Sequence, residues 1–327
     1  MSKASEDRSD DLQTAMIVSS FVACTLHSIG FWALWNVKHK NIFIAIERLY
    51  LLNLSVAENI HSSLLALSNF LFLYKYDEAG RYMFIFGFGG AFVWYMCVLI
   101  MLTFDRFLSL YLNVHYTLWL NEKKTKVILG ICFGLGVLAN TLLIYFSEKD
   151  FEQTLKVISL YLWVPLDDIF ISVAIVTYIY ILVRIKREQR EDIKKVLATK
   201  YNRETENTNI NVERRKSLNL LLKSEKYLTW KSYIVPLLLI LTFLVFIGIP
   251  DNIYFWSFIL NKKLHPLFEP ITFILYPTGI SADAIIYILC PKHMRQFLMR
   301  KFKKFFCRNH NSDVKLNSDR SEYTRIR

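Results

Sequence analysis

Three places in this 327-residue sequence put charge where charge is costly. Glu58 closes the run Leu52-Asn53-Leu54-Ser55-Val56-Ala57-Glu58 in the middle of an apolar stretch, and His61, one helical turn on, shares its face. A carboxylate so placed must face other protein groups, hold a proton or hold a cation. Asp105-Arg106-Phe107 follows a charge-free run from Met83 to Phe104. Adjacent opposite charges at such a boundary neutralise one another, and a freed guanidinium could then bind the carbonyls of a partner. Taken alone, the pair is equally an ordinary positive-inside anchor. Asp283 and Tyr287 lie four apart on one face of another apolar stretch. Pro250, after Phe246-Ile247-Gly248-Ile249, interrupts a further one by removing a backbone hydrogen bond, which kinks a helix.

The elements that carry these residues follow from composition. With 54% hydrophobic residues, 15% aromatic, ten glycines and seven prolines, the chain favours long uninterrupted helices. A bilayer core needs about 20 mostly apolar residues per helix. Seven stretches meet that need, at residues 15 to 36, 49 to 74, 82 to 109, 125 to 147, 155 to 185, 230 to 258 and 266 to 289. The expected fold is therefore an all-α membrane protein, a seven-transmembrane bundle over 15 to 289. The acidic segment 1 to 14, with Glu6, Asp7, Asp10 and Asp11, reads as an extracellular tail rather than a cleaved signal peptide.

Net charge is +12, which could suggest nucleic acid, but placement argues for topology instead. With the N-terminus outside, 32 of the 40 lysines and arginines fall on inner segments, so the C-terminus is expected inside and no nucleic acid is expected as a partner. The one long connection, 186 to 229, reads as a cytoplasmic loop whose basic flanks, Arg184 to Lys200 and Arg214 to Lys226, are helix-prone and could extend the fifth and sixth helices. Residues 290 to 306 repeat Met294, Phe297, Leu298 and Phe302 among basic residues at helical spacing, the pattern of a short amphipathic helix on the inner leaflet. Residues 307 to 327 form a cytoplasmic tail, and Cys307 is a candidate for palmitoylation or an unmodified surface thiol. No cysteine falls in an expected outer loop, and no Cys/His spacing suggests a metal site; no cofactor is implied.

Taken together, Asn53-Leu54-Ser55-x-Ala57-Glu58, Asp105-Arg106-Phe107, Pro250 and Asp283-x-x-x-Tyr287 followed by a basic amphipathic helix resemble the signature of rhodopsin-like G protein-coupled receptors, over roughly residues 15 to 306. The resemblance implies a plasma-membrane receptor whose outer half binds an extracellular ligand. Its sixth helix would swing outward, and its inner face would engage a heterotrimeric G protein, with arrestin and receptor kinase as further cytoplasmic partners. It implies that Arg106 contacts the G protein, Asp105 restrains Arg106, Tyr178 and Tyr287 stabilise the active arrangement, and Glu58 with Asp283 forms the polar centre.

The departures from that signature are specific. No asparagine stands in the middle of the first span near Gly30, Gly248 replaces the tryptophan two residues before Pro250, and Ala284 replaces the seventh-span proline. The family's outer disulfide is missing, and Trp230 stands where many members place an acid on the sixth helix to hold the arginine. Two expectations follow: Glu58 and Asp283 share a proton or a sodium ion, and basal activity is raised.

For the ligand, Phe88 occupies the position where amine receptors carry an aspartate, and the seventh span has no lysine, so by the resemblance neither an amine receptor nor a retinal pigment is indicated. Asp167, Asp168, Asp251, Glu269, Trp94 and Tyr95 are the candidate ligand contacts, for a cationic or peptide ligand, although such residues also mark water interfaces and packing. The rival class is an ion-coupled transporter or channel using Glu58, Asp283 and His61. An enzyme is disfavoured by the lack of His-x-x-x-His, Gly-x-Ser-x-Gly or paired Asp motifs.

Overall fold

The computed structural model describes residues 3–37, 42–112, 115–147, 164–201, 233–260, 262–265, 267–290 and 294–301. Among these there are long helices, turns and no strand. We label them α1 (Lys3–Asn36), α2 (Ile42–Leu73), α3 (Asp77–Leu112), α4 (Glu122–Ser147), α5 (Val164–Tyr201), α6 (233–259), α7 (Phe268–Leu289) and α8 (294–301). A one-turn helix, Tyr116–Trp119, lies between α3 and α4.

Six of these helices, α1 and α3 to α7, contain stretches long and apolar enough to cross a membrane, so the chain has the character of a multi-pass membrane protein. The helix outside that set, α2, has 32 residues and ample length, but Glu47, Arg48, Glu58, Asn59, His61, Ser62, Ser63, Ser68 and Asn69 dilute its apolar character. Those polar residues are explained by position. α2 packs against α1, α3, α4 and α7, and Glu47, Glu58, His61, Ser62, Ser68 and Asn69 are buried. The remaining contacts, α3 with α4 and α5, α5 with α6, α6 with α7 and α7 with α1, close a ring of helices around one core. On the outside, Val127, Ile131, Leu135 and Leu138 of α4 and Ile169, Val173, Val176 and Val183 of α5 are exposed, an apolar surface suited to lipid tails.

The elements differ from expectation at their ends. α1 begins at Lys3, inside the segment read as a tail. α2 begins at Ile42 rather than 49. Glu47 and Arg48, just before the expected span, both find partners within the protein, and Arg48 Nη1 donates to the Val37 carbonyl oxygen at 2.5 Å. α5 runs to Tyr201, so the basic flank of the long connection continues that helix as expected.

Two helices widen into π turns, Phe86–Ala91 in α3 and Leu244–Gly248 in α6. The second lies just before Pro250, which has no amide proton for the α-helical ladder, and the Ile249 N–H donates to the Leu244 carbonyl five residues back. α7 lacks a proline at 284 but contains Pro277, with Ser281 Oγ donating to the Pro277 carbonyl at 2.9 Å. α3 and α4 meet through glycines. A Cβ on Gly136 would stand 2.7 Å from the Gly90 carbonyl oxygen and 3.0 Å from Trp94 Cβ. Gly136→Val is expected to cost about 2–3 kcal/mol, because a backbone atom is what obstructs it. Gly134→Val, on the open face of the same helix, should not. Thermal midpoints of the two purified variants make the comparison.

α8 lays Met294 into the core, fully buried, with Phe297 and Leu298 packed beside it. Phe297 contacts the Trp32 ring of α1 at 5.7 Å, with the Lys301 ammonium 6.0 Å from that ring. Arg295, Gln296, Arg300 and Lys301 face outward. The alternation expected from sequence is thus present over the described turns. Cys307 lies outside the described residues, as do Phe302, Trp230 and the tail from 307.

Candidate functional site at the two polar layers

Two buried polar layers occupy the core. The first gathers around Arg106, which is 2% exposed. Its Nη2 lies 2.8 Å from Asp105 Oδ2, and its Nη1 lies 3.4 Å from Glu47 Oε2. Asp105 also accepts a short hydrogen bond from the Tyr116 hydroxyl in the one-turn helix. Burial, and next the Asp105 carboxylate, push the Tyr116 phenol far above its usual range, so it keeps its proton and remains the donor. Tyr178 of α5 is buried beside this group; Arg106 and Glu47 are its leading charged neighbours, and its hydroxyl has no hydrogen-bond partner. Tyr233 of α6 approaches from the other side through Ser109, Oη to Oγ 3.2 Å.

The guanidinium is therefore buried and doubly paired with acids. It still has N–H groups unspent, since neither Nε nor Nη2 makes a well-directed hydrogen bond. Such a group gains by reaching new acceptors if the helices around it part.

The second layer lies deeper. Tyr287 Oη donates to Glu58 Oε2 at 2.6 Å, and Tyr95 Oη donates to Asp283 Oδ2 at 3.0 Å. His27 of α1, fully buried, points Nε2 at the Ile280 carbonyl oxygen, 2.8 Å away. A carbonyl only accepts, so Nε2 carries the proton, and Nδ1 then faces Glu58 Oε2 at 3.4 Å. Ser55 Oγ donates to the His27 carbonyl at 3.0 Å, tying α2 to the same turn of α1. Glu58, His61, Tyr95, Thr242 and Asp283 line a cavity of about 10 Å³, the room of a single water molecule. Asp283 Oδ1 has no hydrogen-bond partner.

The residues singled out from sequence thus divide. Asp105, Arg106 and Tyr178 come together. Phe107 is turned aside, stacked on Tyr111 at 5.8 Å and near Tyr180 at 5.5 Å. Tyr287 joins Glu58 in the deeper layer and not Arg106, because a buried carboxylate is the stronger acceptor within reach. Glu58 and Asp283 do face one cavity. His61 lines it too, but its Nδ1 donates to the Gly87 carbonyl, 2.8 Å away in the π turn of α3. That role is structural, satisfying a carbonyl in a widened turn.

Of the candidate ligand contacts, Tyr95 is committed to Asp283. Trp94 packs edge-on against Phe133 of α4 at 5.1 Å, so it stitches helices together. Asp168 Oδ1 accepts from Asn252 Nδ2 at 2.6 Å, joining α5 to α6. Asp167 is 3% exposed, Asp251 is partly exposed, and the Glu269 side chain lies outside the described residues.

Sequence reasoning missed two residues. Glu47 stands eleven residues before Glu58, three helical turns, and therefore on the same face; that spacing was the available signal. His27 is a polar residue inside the first apolar stretch, one turn before Gly30, where an asparagine was sought. No protein-family model matches the chain, and no curated protein matches it.

Proposed function

We propose that this chain is a receptor of the rhodopsin-like, G protein-coupled type, with seven membrane spans that include α2, and with α8 lying on the inner leaflet. The N-terminus is outside and the C-terminus inside, in the plasma membrane. An extracellular ligand acts on the outer half, and the inner ends of α3, α5 and α6 part to admit a heterotrimeric G protein, with arrestin and receptor kinase acting on the same face. The observation that supports this best is Arg106, buried at the positively charged end of the bundle between Asp105 and Glu47, with α5 and α6 tyrosines beside it. A buried arginine held by acids at a helix junction is costly unless its release does something.

Glu58 and Asp283 form the polar centre of that receptor, sharing a proton or a sodium ion, with His27 and Tyr287 completing the group. The second reading, an ion-coupled transporter, draws on the same two carboxylates. It is favoured less because the cavity between them has room for one water and not for a path.

The test is nucleotide exchange on purified heterotrimeric G proteins by membranes carrying the chain. Wild-type membranes are expected to accelerate exchange, and Arg106→Ala to lower it to the level of empty membranes. Equal exchange by both would end the assignment of Arg106. Transmembrane current or flux without exchange would favour the transporter.

A further inference from the structure

One face of α6 stays open along most of the helix. Leu244, Gly248, Asn252, Trp256 and Leu260 recur every four residues, so they share one side of α6 over about 24 Å. That side lines a cavity of about 720 Å³, a volume within the ~300–1,000 Å³ of small-molecule sites and far above the single-water space at Asp283. Asp168 and Ile171 of α5 line it as well, as do residues 262–265, the segment that follows α6. The groove faces outward from the ring of helices. Ile249, Ile253, Trp256 and Leu260 along it are about half exposed, at 46%, 45%, 55% and 56%. α5 and α6 meet tightly beside it, where a Cβ on Gly248 would stand 2.6 Å from Ile171 Cδ1.

The polar groups around the groove are unevenly spent. Asn252 Nδ2 donates to Asp168 Oδ1 at 2.6 Å and to the Gly248 carbonyl at 3.0 Å, and Ser257 Oγ donates to the Tyr254 carbonyl at 2.8 Å. Asp168 is the one carboxylate in the lining, and it is already engaged. Neither Lys262 nor Lys263 takes part in an ion pair among the described residues. His265 Nδ1 accepts from the Leu267 amide at 3.3 Å, so the ring proton sits on Nε2, a further donor. What remains unspent is cationic and donating, which suits an anion. The apolar stretch of α6 ends at Ser257, so the two lysines stand just beyond it, at the depth of lipid head groups, with Trp256 placed as an interfacial aromatic.

We propose that this groove binds an anionic phospholipid of the surrounding bilayer. The phosphate head group lies among Lys262, Lys263 and His265, and an acyl chain runs from Leu260 toward Leu244 along the open face of α6. A phospholipid is the molecule that a lipid-facing groove meets at the highest concentration, and the two lysines select among phospholipids by charge. The bound head group ties residues 262–265 to the adjoining ends of α5 and α6, so the lipid braces helices already joined by the Asp168–Asn252 hydrogen bond. Binding of this kind depends neither on the receptor reading nor on which leaflet this end of α6 faces.

The test uses the full chain in phosphatidylcholine nanodiscs doped with a probe whose acyl chain carries a diazirine. Three probes are compared: phosphatidylglycerol, phosphatidylcholine and free oleic acid. Crosslinked peptides are read by mass spectrometry. Phosphatidylglycerol is expected to label residues 244–264 about tenfold more than phosphatidylcholine does, the preference that two lysines near a membrane surface give. On the exposed α4 face at Leu135, Leu138 and Leu142 the two phospholipids should label alike. Lys262→Gln combined with Lys263→Gln should bring the groove to parity and leave α4 unchanged; both side chains are exposed, so the fold should survive. Equal labelling of the groove by the two phospholipids, or a preference undiminished in the double variant, would overturn the site. The same preference on α4 would also overturn it, as general charge attraction. Stronger labelling by the oleic acid probe than by phosphatidylglycerol would overturn the phospholipid as occupant. Labelling needs no G protein, so none of these outcomes bears on the nucleotide-exchange test of Arg106.

Discussion

If the chain is the receptor proposed above, Glu47→Gln is expected to raise ligand-independent nucleotide exchange by about thirtyfold, up to the ceiling set by the G protein. In the structure Arg106 has two acidic partners, and only one of them, Glu47, comes from another helix. Replacing its carboxylate by an amide removes a charge-assisted contact worth about 2 kcal/mol, which is about a thirtyfold shift between a closed and an open arrangement. The sign depends on the contact being confined to the closed arrangement. Glu47→Asp, which restores charge on a shorter arm, should fall between the two. Glu47→Gln combined with Arg106→Ala should show no rise. Basal exchange unchanged in Glu47→Gln would mean that the contact persists when the helices part. The sequence expectation of raised basal activity rests on Trp230, which lies outside the described residues. With the acid supplied from α2, wild-type exchange is expected to be low, above that of empty membranes and well below that of Glu47→Gln.

Removing the His27 ring should produce the largest loss of stability of any single change in the core polar groups. His27→Leu strips the Ile280 carbonyl of its donor and removes the ring beside Glu58, within a layer of zero to 4% exposure. Leaving a buried carbonyl unpaired costs about 1–3 kcal/mol and reshaping the packed core about 1 kcal/mol more, so about 2–4 kcal/mol is expected. His27→Asn retains a donor near the same carbonyl and should recover part of the loss. Thermal midpoints of the two variants in one detergent measure the difference. A leucine variant as stable as wild type would mean that water takes over the Ile280 carbonyl.

Much of the architecture was legible because lipid imposes a simple code. Apolar stretches of about 20 residues carry most of it, since six helices are long and apolar enough to cross a membrane. The core positions of Glu58, Arg106 and Asp283 were legible because a charge within such a stretch must find company. What was illegible is the identity of that company. Glu47 sits in a charged Glu-Arg pair just before the expected span, and only the approach of α3 gives it a reason to be helical. His27 is one polar residue among apolar ones, and nothing in the sequence says that Ile280, 253 residues away, will offer it a carbonyl. Tyr287 sits four after Asp283, yet its hydroxyl goes to Glu58 of another helix. Long-range pairing of polar groups is set by which helices become neighbours, and periodicity within one helix does not carry that information.

α5 is 38 residues long and ends at Tyr201, fourteen residues beyond Arg187, where its apolar stretch ends. At 1.5 Å per residue that is an overhang of about 20 Å. A rod of that reach converts angle into distance, so a tilt of about 5° at the membrane surface carries its tip sideways by about 2 Å. A spin label or fluorophore on the overhang would therefore register rearrangements around Tyr178 that are too small to see at Tyr178 itself. Whatever partner rests against the far end would feel the buried layer as leverage.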